Sequence, residues 1–177
     1  LLIPGQRIED DLKRKGRTWG EVKLGQGSIR DIEFVCQYLQ LANGGTNRDV
    51  RSFNTLDALV RLVDLGYLQA DEFRILSDGY VFFRTIEHSL QLVQNKQTHE
   101  MPTDPGELLF LARRLDFQTD TQFLDHYQRH CAAVRRVFNR HLESQGEAVP
   151  VRPQPAADET VLRAEPPPRT RQHLQRM

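Results

Sequence analysis

Two glycines, two cations and two carboxylates crowd one short stretch, Lys23-Leu24-Gly25-Gln26-Gly27-Ser28-Ile29-Arg30-Asp31-Ile32-Glu33-Phe34. Glycines let backbone N–H groups converge, and a helix opening just after them adds partial positive charge, so a phosphate could be held there. Lys23 and Arg30 would supply two charged donors, with Gly25 and Gly27 shaping the loop. The pattern is not a P-loop, because no Gly-Lys-Ser/Thr follows at the required spacing, and not a dinucleotide fingerprint, because no strand precedes it. A structural reading stands beside the phosphate one. Arg30, Asp31 and Glu33 fall near the first turn of a helix whose other face is apolar, and ion pairs from them would fix that helix to a neighbour while the glycines permit close backbone approach. Asp31 and Glu33 are two residues apart, point to different sides, and cannot act as one carboxylate pair. Spacing alone leaves both readings open.

Other reactive groups are more scattered. His126 and His130, four apart, could share a helix face as metal ligands, but they lie beside an apolar seam with no obvious third ligand, so a seam-edge role is expected. Glu87-His88, with Arg84 and Gln91 at helical spacing, reads as the polar side of a packed helix. Glu9-Asp10-Asp11 reads as a solvated helix face, and Gln97-Thr98-His99 as a polar turn that caps a long helix. Trp19 beside Gly20 reads either as an anchor for another domain or as a cover for the bundle's end. No serine, cysteine or histidine arrangement points to nucleophilic catalysis. Cys36 and Cys131 fit no metal-ligand spacing and read as buried free thiols of a reducing cytoplasm.

The elements that must position these groups are helical. The stretch around the glycines reads as irregular, and a helix follows from about Ile29 to Leu41, with Ile29, Ile32, Cys36 and Leu39 at spacings of 3, 4 and 3 before Asn43-Gly44-Gly45 stops it. Asn54 or Thr55 caps the next helix, which carries Leu56, Leu59, Val60 and Val63 and ends at Gly66. A long helix over about 70–95 shows a stripe from Phe73 through Leu76, Tyr80, Phe83, Ile86 and Leu90 to Val93, with Gly79 inside it marking a close helix crossing. Asp104, Pro105 and Glu107 open the following helix as N-cap, N1 and N3. The last helix, about 121–142, has a seam of Leu124, Tyr127, Cys131, Val134, Phe138 and His141. Strand signals are missing. Short connections between such helices give an all-α bundle of about five to six helices.

Composition sets the outer limits. Lysine plus arginine and aspartate plus glutamate both number 24 among 177 residues, so no global basic field draws nucleic acid and no acidic field draws cations. No apolar run reaches the roughly 18 residues a membrane helix needs, and Leu1-Leu2-Ile3 is broken by Pro4-Gly5, so a signal peptide is not expected. The chain has no initiator methionine, as expected of a piece of a longer protein. Six of its nine prolines lie beyond residue 144. The expected organisation is a charged segment and glycine-rich junction over 1–28, a bundle over 29–143, and a disordered tail or linker over 144–177.

The ordered motifs carry a resemblance. Lys23-Leu24-Gly25-x-Gly27-x-Ile29-Arg30-Asp31-Ile32-Glu33-Phe34, followed by Gln37, Leu41 and Gly44-Gly45, resembles the glutamine synthetase adenylyltransferase/adenylyl-removing enzyme, with a looser version in the PII uridylyltransferase. Arg51-x-x-Asn54-Thr55-Leu56-x-Ala58-Leu59, Tyr80-x-Phe82-x-Arg84-x-x-Glu87-His88-x-Leu90-Gln91, Gln97-Thr98-His99-x-x-Pro102 and Val134-Arg135-x-Val137-Phe138 extend it over about 7–143. The sequence departs at Ser28, where a second glycine is usual, and in its proline-rich tail.

The resemblance implies a helical companion of a nucleotidyltransferase domain, which would supply the Gly-Ser turn and the carboxylates that hold Mg²⁺ against ATP. This chain would then hold no complete active site, though Lys23, Gly25, Gly27 and Arg30 could touch nucleotide phosphates. The resemblance further implies that Arg84 and Glu87 pair across the bundle, and that glutamine synthetase and PII protein are partners. The alternative is a stand-alone, non-catalytic interaction module.

Overall fold

The computed structural model describes residues 20–94 and 99–142. Five α-helices lie within them: α1 (Ile29–Asn43), α2 (Thr55–Asp64), α3 (Ala70–Gln94), α4 (Pro105–Arg114) and α5 (Asp120–Leu142), with one 3₁₀ turn at Arg48–Val50. The expected all-α bundle is what forms. The charged segment before Gly20 with Glu9-Asp10-Asp11, Trp19, the Gln97-Thr98 half of the polar turn, and the tail from 143 lie outside the described residues.

Local chemistry accounts for the helix ends. The Asn54 side chain accepts the Asp57 N–H at 3.1 Å, and the Asp104 side chain accepts the Glu107 N–H at 3.0 Å with Pro105 at the first helical position. At the end of α1 the Gly44 N–H returns to the Gln40 carbonyl, and Arg51 donates twice to the Gly44 carbonyl, at 3.0 and 2.6 Å. A terminal carbonyl that the helix leaves open is thereby satisfied. Helix α2 stops at Gly66, whose φ of 75° suits a glycine.

Apolar faces set the packing. Helix α1 packs on α2, α3 and α5, and α5 also packs on α3 and α4. Ile29, Ile32, Leu59, Leu62, Leu76, Phe83, Ile86, Phe123 and Val134 are fully buried. Gly79 is a crossing point, as expected: a Cβ there would lie 3.0 Å from Val134 Cγ2 and 3.6 Å from Ile32 Cδ1.

Two stripes differ from expectation. In α2, Leu56 and Val60 are 36% and 43% exposed, and Ala58, Leu59 and Leu62 face the core. A ten-residue helix has apolar residues on more than one side, and only its neighbours choose among them. In α5, Phe123 and Val137 are buried while Leu124, Cys131 and His141 are half-buried. A helix packed against three others needs a wider apolar face than a single seam.

Residues 20–28 belong to the bundle's packing. Glu21 forms an isolated antiparallel bridge with Glu100, carried by Val22 N–H to the His99 carbonyl and Met101 N–H to the Gly20 carbonyl, both at 2.9 Å. Val22 and Ser28 are fully buried. Among the described residues no helix is long and apolar enough to cross a membrane.

Candidate functional site

The glycine loop is a compact clip whose donors face inward. Gly25 N–H donates to the Glu21 carbonyl at 3.0 Å, Ile29 N–H to Val22 at 3.5 Å and Arg30 N–H to Lys23 at 3.2 Å. Gly27 N–H donates to the Asp31 carboxylate at 2.7 Å, and Ser28 Oγ donates to the Lys23 carbonyl at 2.8 Å. These amides, which would have to converge on an anion, are spent on protein oxygens. Gly25 and Gly27 serve close approach instead. A Cβ on Gly25 would stand 2.5 Å from the Glu21 carbonyl oxygen, and one on Gly27 (φ +68°) would run into the backbone carbonyl of Cys131 on α5.

The cations divide between inside and outside. Arg30 is 6% exposed, donates to the Leu24 carbonyl at 2.9 Å and lies 5.7 Å from the Phe34 ring, so it braces the clip. The Lys23 ammonium is 41% exposed and stands 3.7 Å from Glu87.

Asp31 and Glu33 point to different sides, as their spacing requires, and each meets its own partner. Asp31, 1% exposed, accepts from Arg135 of α5 at 3.1 Å. Burial raises its carboxyl above the ordinary value, against the opposing pull of the Gly27 N–H and Arg135. Glu33 accepts from Arg84 of α3 at 3.2 Å. Arg84 also donates to Glu87 at 2.7 Å and to Tyr80 Oη at 3.0 Å. Arg84 and Glu87 therefore pair within one helix, three residues apart, and Glu33 is the member that reaches across the bundle.

Glu87 is the hub of this cluster. Its side chain is 3% exposed, accepts from Arg84 and pairs with the Lys23 ammonium at 3.7 Å; His99 Nδ1 lies 3.1 Å away with no hydrogen bond between the two. One buried carboxylate thus ties the glycine loop to α3. The chemistry of such an arrangement is positioning: its acids are already paired with cations, and among the described residues no three His, Cys, Asp or Glu side chains converge on a metal position.

Sequence reasoning missed another buried carboxylate. Glu72, 1% exposed, receives Arg140 at 2.7 Å and His141 at 3.2 Å from α5 and the Gln69 N–H at 3.1 Å. Its spacing of three from Gln69 is the reaching-back half of a capping box, a signal the sequence does contain. Cys36 is buried and Cys131 half-buried, and burial pushes their thiols up to about 12 and about 11. His126 and His130 meet at the edge of α5, with 3.1 Å between their Nε2 atoms.

Comparison with known proteins places this architecture. A family model described as GlnD PII-uridylyltransferase matches residues 5–142. Proteins named bifunctional glutamine synthetase adenylyltransferase/adenylyl-removing enzyme are also similar. The one from Streptomyces coelicolor is 38% identical over 122 residues, 68% of this chain and 12% of that protein. The one from Aromatoleum aromaticum is 37% identical over 133 residues, 75% of this chain and 14% of that protein. The one from Neisseria meningitidis serogroup B is 32% identical over 142 residues, 80% of this chain and 16% of that protein. The chain thus spans between 12% and 16% of the length of these relatives. With the family match running from before the glycine clip to the end of α5, this chain belongs to the GlnD PII-uridylyltransferase family.

Proposed function

We propose that this bundle is the helical companion of a nucleotidyltransferase domain that adds AMP to glutamine synthetase and removes it, in the cytoplasm, under the control of PII protein. The observation that carries the reading is the pairing of a family match over 5–142 with a site whose buried acids Asp31, Glu72 and Glu87 are each engaged by a cation of the bundle. Such a site holds a surface in shape and leaves the chemistry to another domain. A catalytic Mg²⁺ would need carboxylates free to meet at one point, so ATP and Mg²⁺ belong with that other domain. In this reading the described residues of the chain supply no catalytic carboxylate.

Within this reading Lys23 contacts the nucleotide phosphates, Gly25 and Gly27 give the loop its turn, and Arg30 locks it from behind. Lys23 is the one of the four with a solvent-facing charged donor. Asp31, Glu33, Arg84 and Glu87 hold the interface against which the catalytic domain rests. The rival reading is a stand-alone interaction module, which the same packing would serve.

The test adds the 177-residue chain to a purified nucleotidyltransferase domain from a family member and follows AMP transfer to glutamine synthetase. Faster transfer, reduced by Lys23→Ala, supports the companion reading. An unchanged rate with a well-folded chain favours the stand-alone module. Calorimetric titration of the chain with Mg-ATP then asks whether Lys23 and Arg30 hold phosphate unaided.

A further inference from the structure

Away from the glycine clip, α3 and α5 flank a groove of about 460 Å³ that includes Asp71, Arg74 and Asp78 of α3 and His126, Arg129 and His130 of α5. The two histidines are four residues apart and their Nε2 atoms are 3.1 Å apart. Two imidazoles bound to one tetrahedral Zn²⁺ at about 2.0–2.1 Å place their nitrogens roughly 3.3 Å apart. The observed separation is within a few tenths of an ångström of that bite.

We propose that His126 and His130 form a two-histidine site for a borderline divalent transition-metal ion, Zn²⁺ above all, on the groove between α3 and α5.

Both rings are already held in place by an aromatic wall. His130 stacks on Phe82 with centroids 4.8 Å apart and planes at 28°. His126 meets Phe82 edge-on at 4.9 Å and Phe117 at 5.3 Å. Much of the rotamer entropy that a metal would otherwise have to remove is therefore lost on folding. Burial lowers the basicity of both imidazoles, which leaves them neutral and able to offer a lone pair at neutral pH.

The groove's charges do not repel a cation outright. Asp71 and Asp78 balance Arg74 and Arg129, and Asp78 acts on His130 electrostatically. Since no third His, Cys, Asp or Glu lies within ligating reach among the described residues, the remaining positions fall to water in the groove. An open site of this kind exchanges its ion readily, unlike the closed four-ligand sites that hold folds together. Two imidazoles favour Zn²⁺, Ni²⁺ or Cu²⁺ over Mg²⁺, which prefers oxygen ligands. The rival account of the same geometry is a single N–H···N hydrogen bond between two neutral rings.

Calorimetric titration of the 177-residue chain with ZnCl₂, with MgCl₂ in parallel, separates the two. The expected result is saturable Zn²⁺ binding, weakened by about tenfold or more in both His126→Gln and His130→Gln, with no comparable heat from MgCl₂. In NMR spectra the ring protons of both histidines should shift together at one equivalent of Zn²⁺. Absence of saturable Zn²⁺ binding, binding in both variants as tight as in wild type, or matching binding of Mg²⁺ would overturn the proposal. Metal-free thermal melts establish that the variants fold. Should His130→Gln unfold, His126→Gln and the ring-proton shifts decide the matter.

Discussion

Arg135 of α5 closes on the Asp31 carboxylate of α1 at 3.1 Å, across 104 residues of sequence. The same carboxylate holds the Gly27 N–H at 2.7 Å. One acid therefore fixes the glycine loop to the start of α1 and α1 to α5.

That arrangement has a pH signature. Burial raises the Asp31 carboxyl above its ordinary value of 3.8, so the folded state holds the proton more tightly than the unfolded chain does. Its contribution to stability is then fully present below pH 3.8 and is lost as pH rises through the folded-state value. Asp31→Asn keeps an acceptor for Gly27 and removes the titration. Urea unfolding between about pH 3.5 and 7 should show the stability of wild type, relative to the variant, declining with pH. A relative stability that climbs instead would mean that the pull of Arg135 outweighs desolvation.

Gly27 should tolerate no side chain. Its φ is +68° and a Cβ would strike the Cys131 carbonyl, which is backbone and cannot swing aside. The left-handed conformation alone costs roughly 1–2 kcal/mol, and a forced backbone shift adds roughly 1–3 kcal/mol. Gly27→Ala is expected to lower stability by about 3 kcal/mol, read from the shift in urea midpoint.

Gly79 poses a milder version of the same question. Alanine gains roughly 1 kcal/mol of helix propensity but meets the Val134 methyl at 3.0 Å, a side-chain contact that a shift of a few tenths of an ångström relieves. Gly79→Ala should be near neutral, whereas Gly79→Val should cost about 2–3 kcal/mol. Adding Val134→Ala to Gly79→Val should recover part of that loss, and the double-mutant cycle measures how much.

Glu87 should matter more than its most intimate partner. Glu87→Gln keeps the shape but strips the charge that Arg84 and Lys23 share. A loss of about 1–3 kcal/mol is expected for a buried, charge-assisted set of this kind. Arg84 is 35% exposed, so water recovers part of its interaction and Arg84→Ala should cost less than Glu87→Gln. Equal losses would mean that Glu33 and Tyr80 carry as much of Arg84's role as Glu87 does.

The thiols should be nearly inert in the native state. With values pushed up to about 12 for Cys36 and about 11 for Cys131, against 9.0 ordinarily, the thiolate at pH 8 is scarcer by about a thousandfold and about a hundredfold. Iodoacetamide should therefore modify both very slowly in the native state, with Cys131 ahead of Cys36. Mass spectrometry over a time course reads the order directly.

Much of this molecule is local, and local features are written in the sequence. The period of 3 and 4 in Ile29, Ile32, Cys36 and Leu39 placed α1 on the core, and all four are buried. Asn54 and Asp104 cap their helices as their residue types require. The motif order from Lys23 to Phe138 also disclosed the family, because it samples many separate segments of one fold.

Tertiary structure decided the rest, for a physical reason. A helix face is chosen by what packs on it, so Leu62 rather than Val60 entered the core of α2. A glycine-rich loop before a helix has the same composition whether its amides face an anion or the protein. Only the fold spent the Gly27 N–H on Asp31 and set that glycine against Cys131. The partners of Asp31, Glu33 and Glu72, and the Lys23 that meets Glu87, come from elements distant in the chain. Spacing encodes neighbours on one helix and carries no term for residues that meet across a bundle.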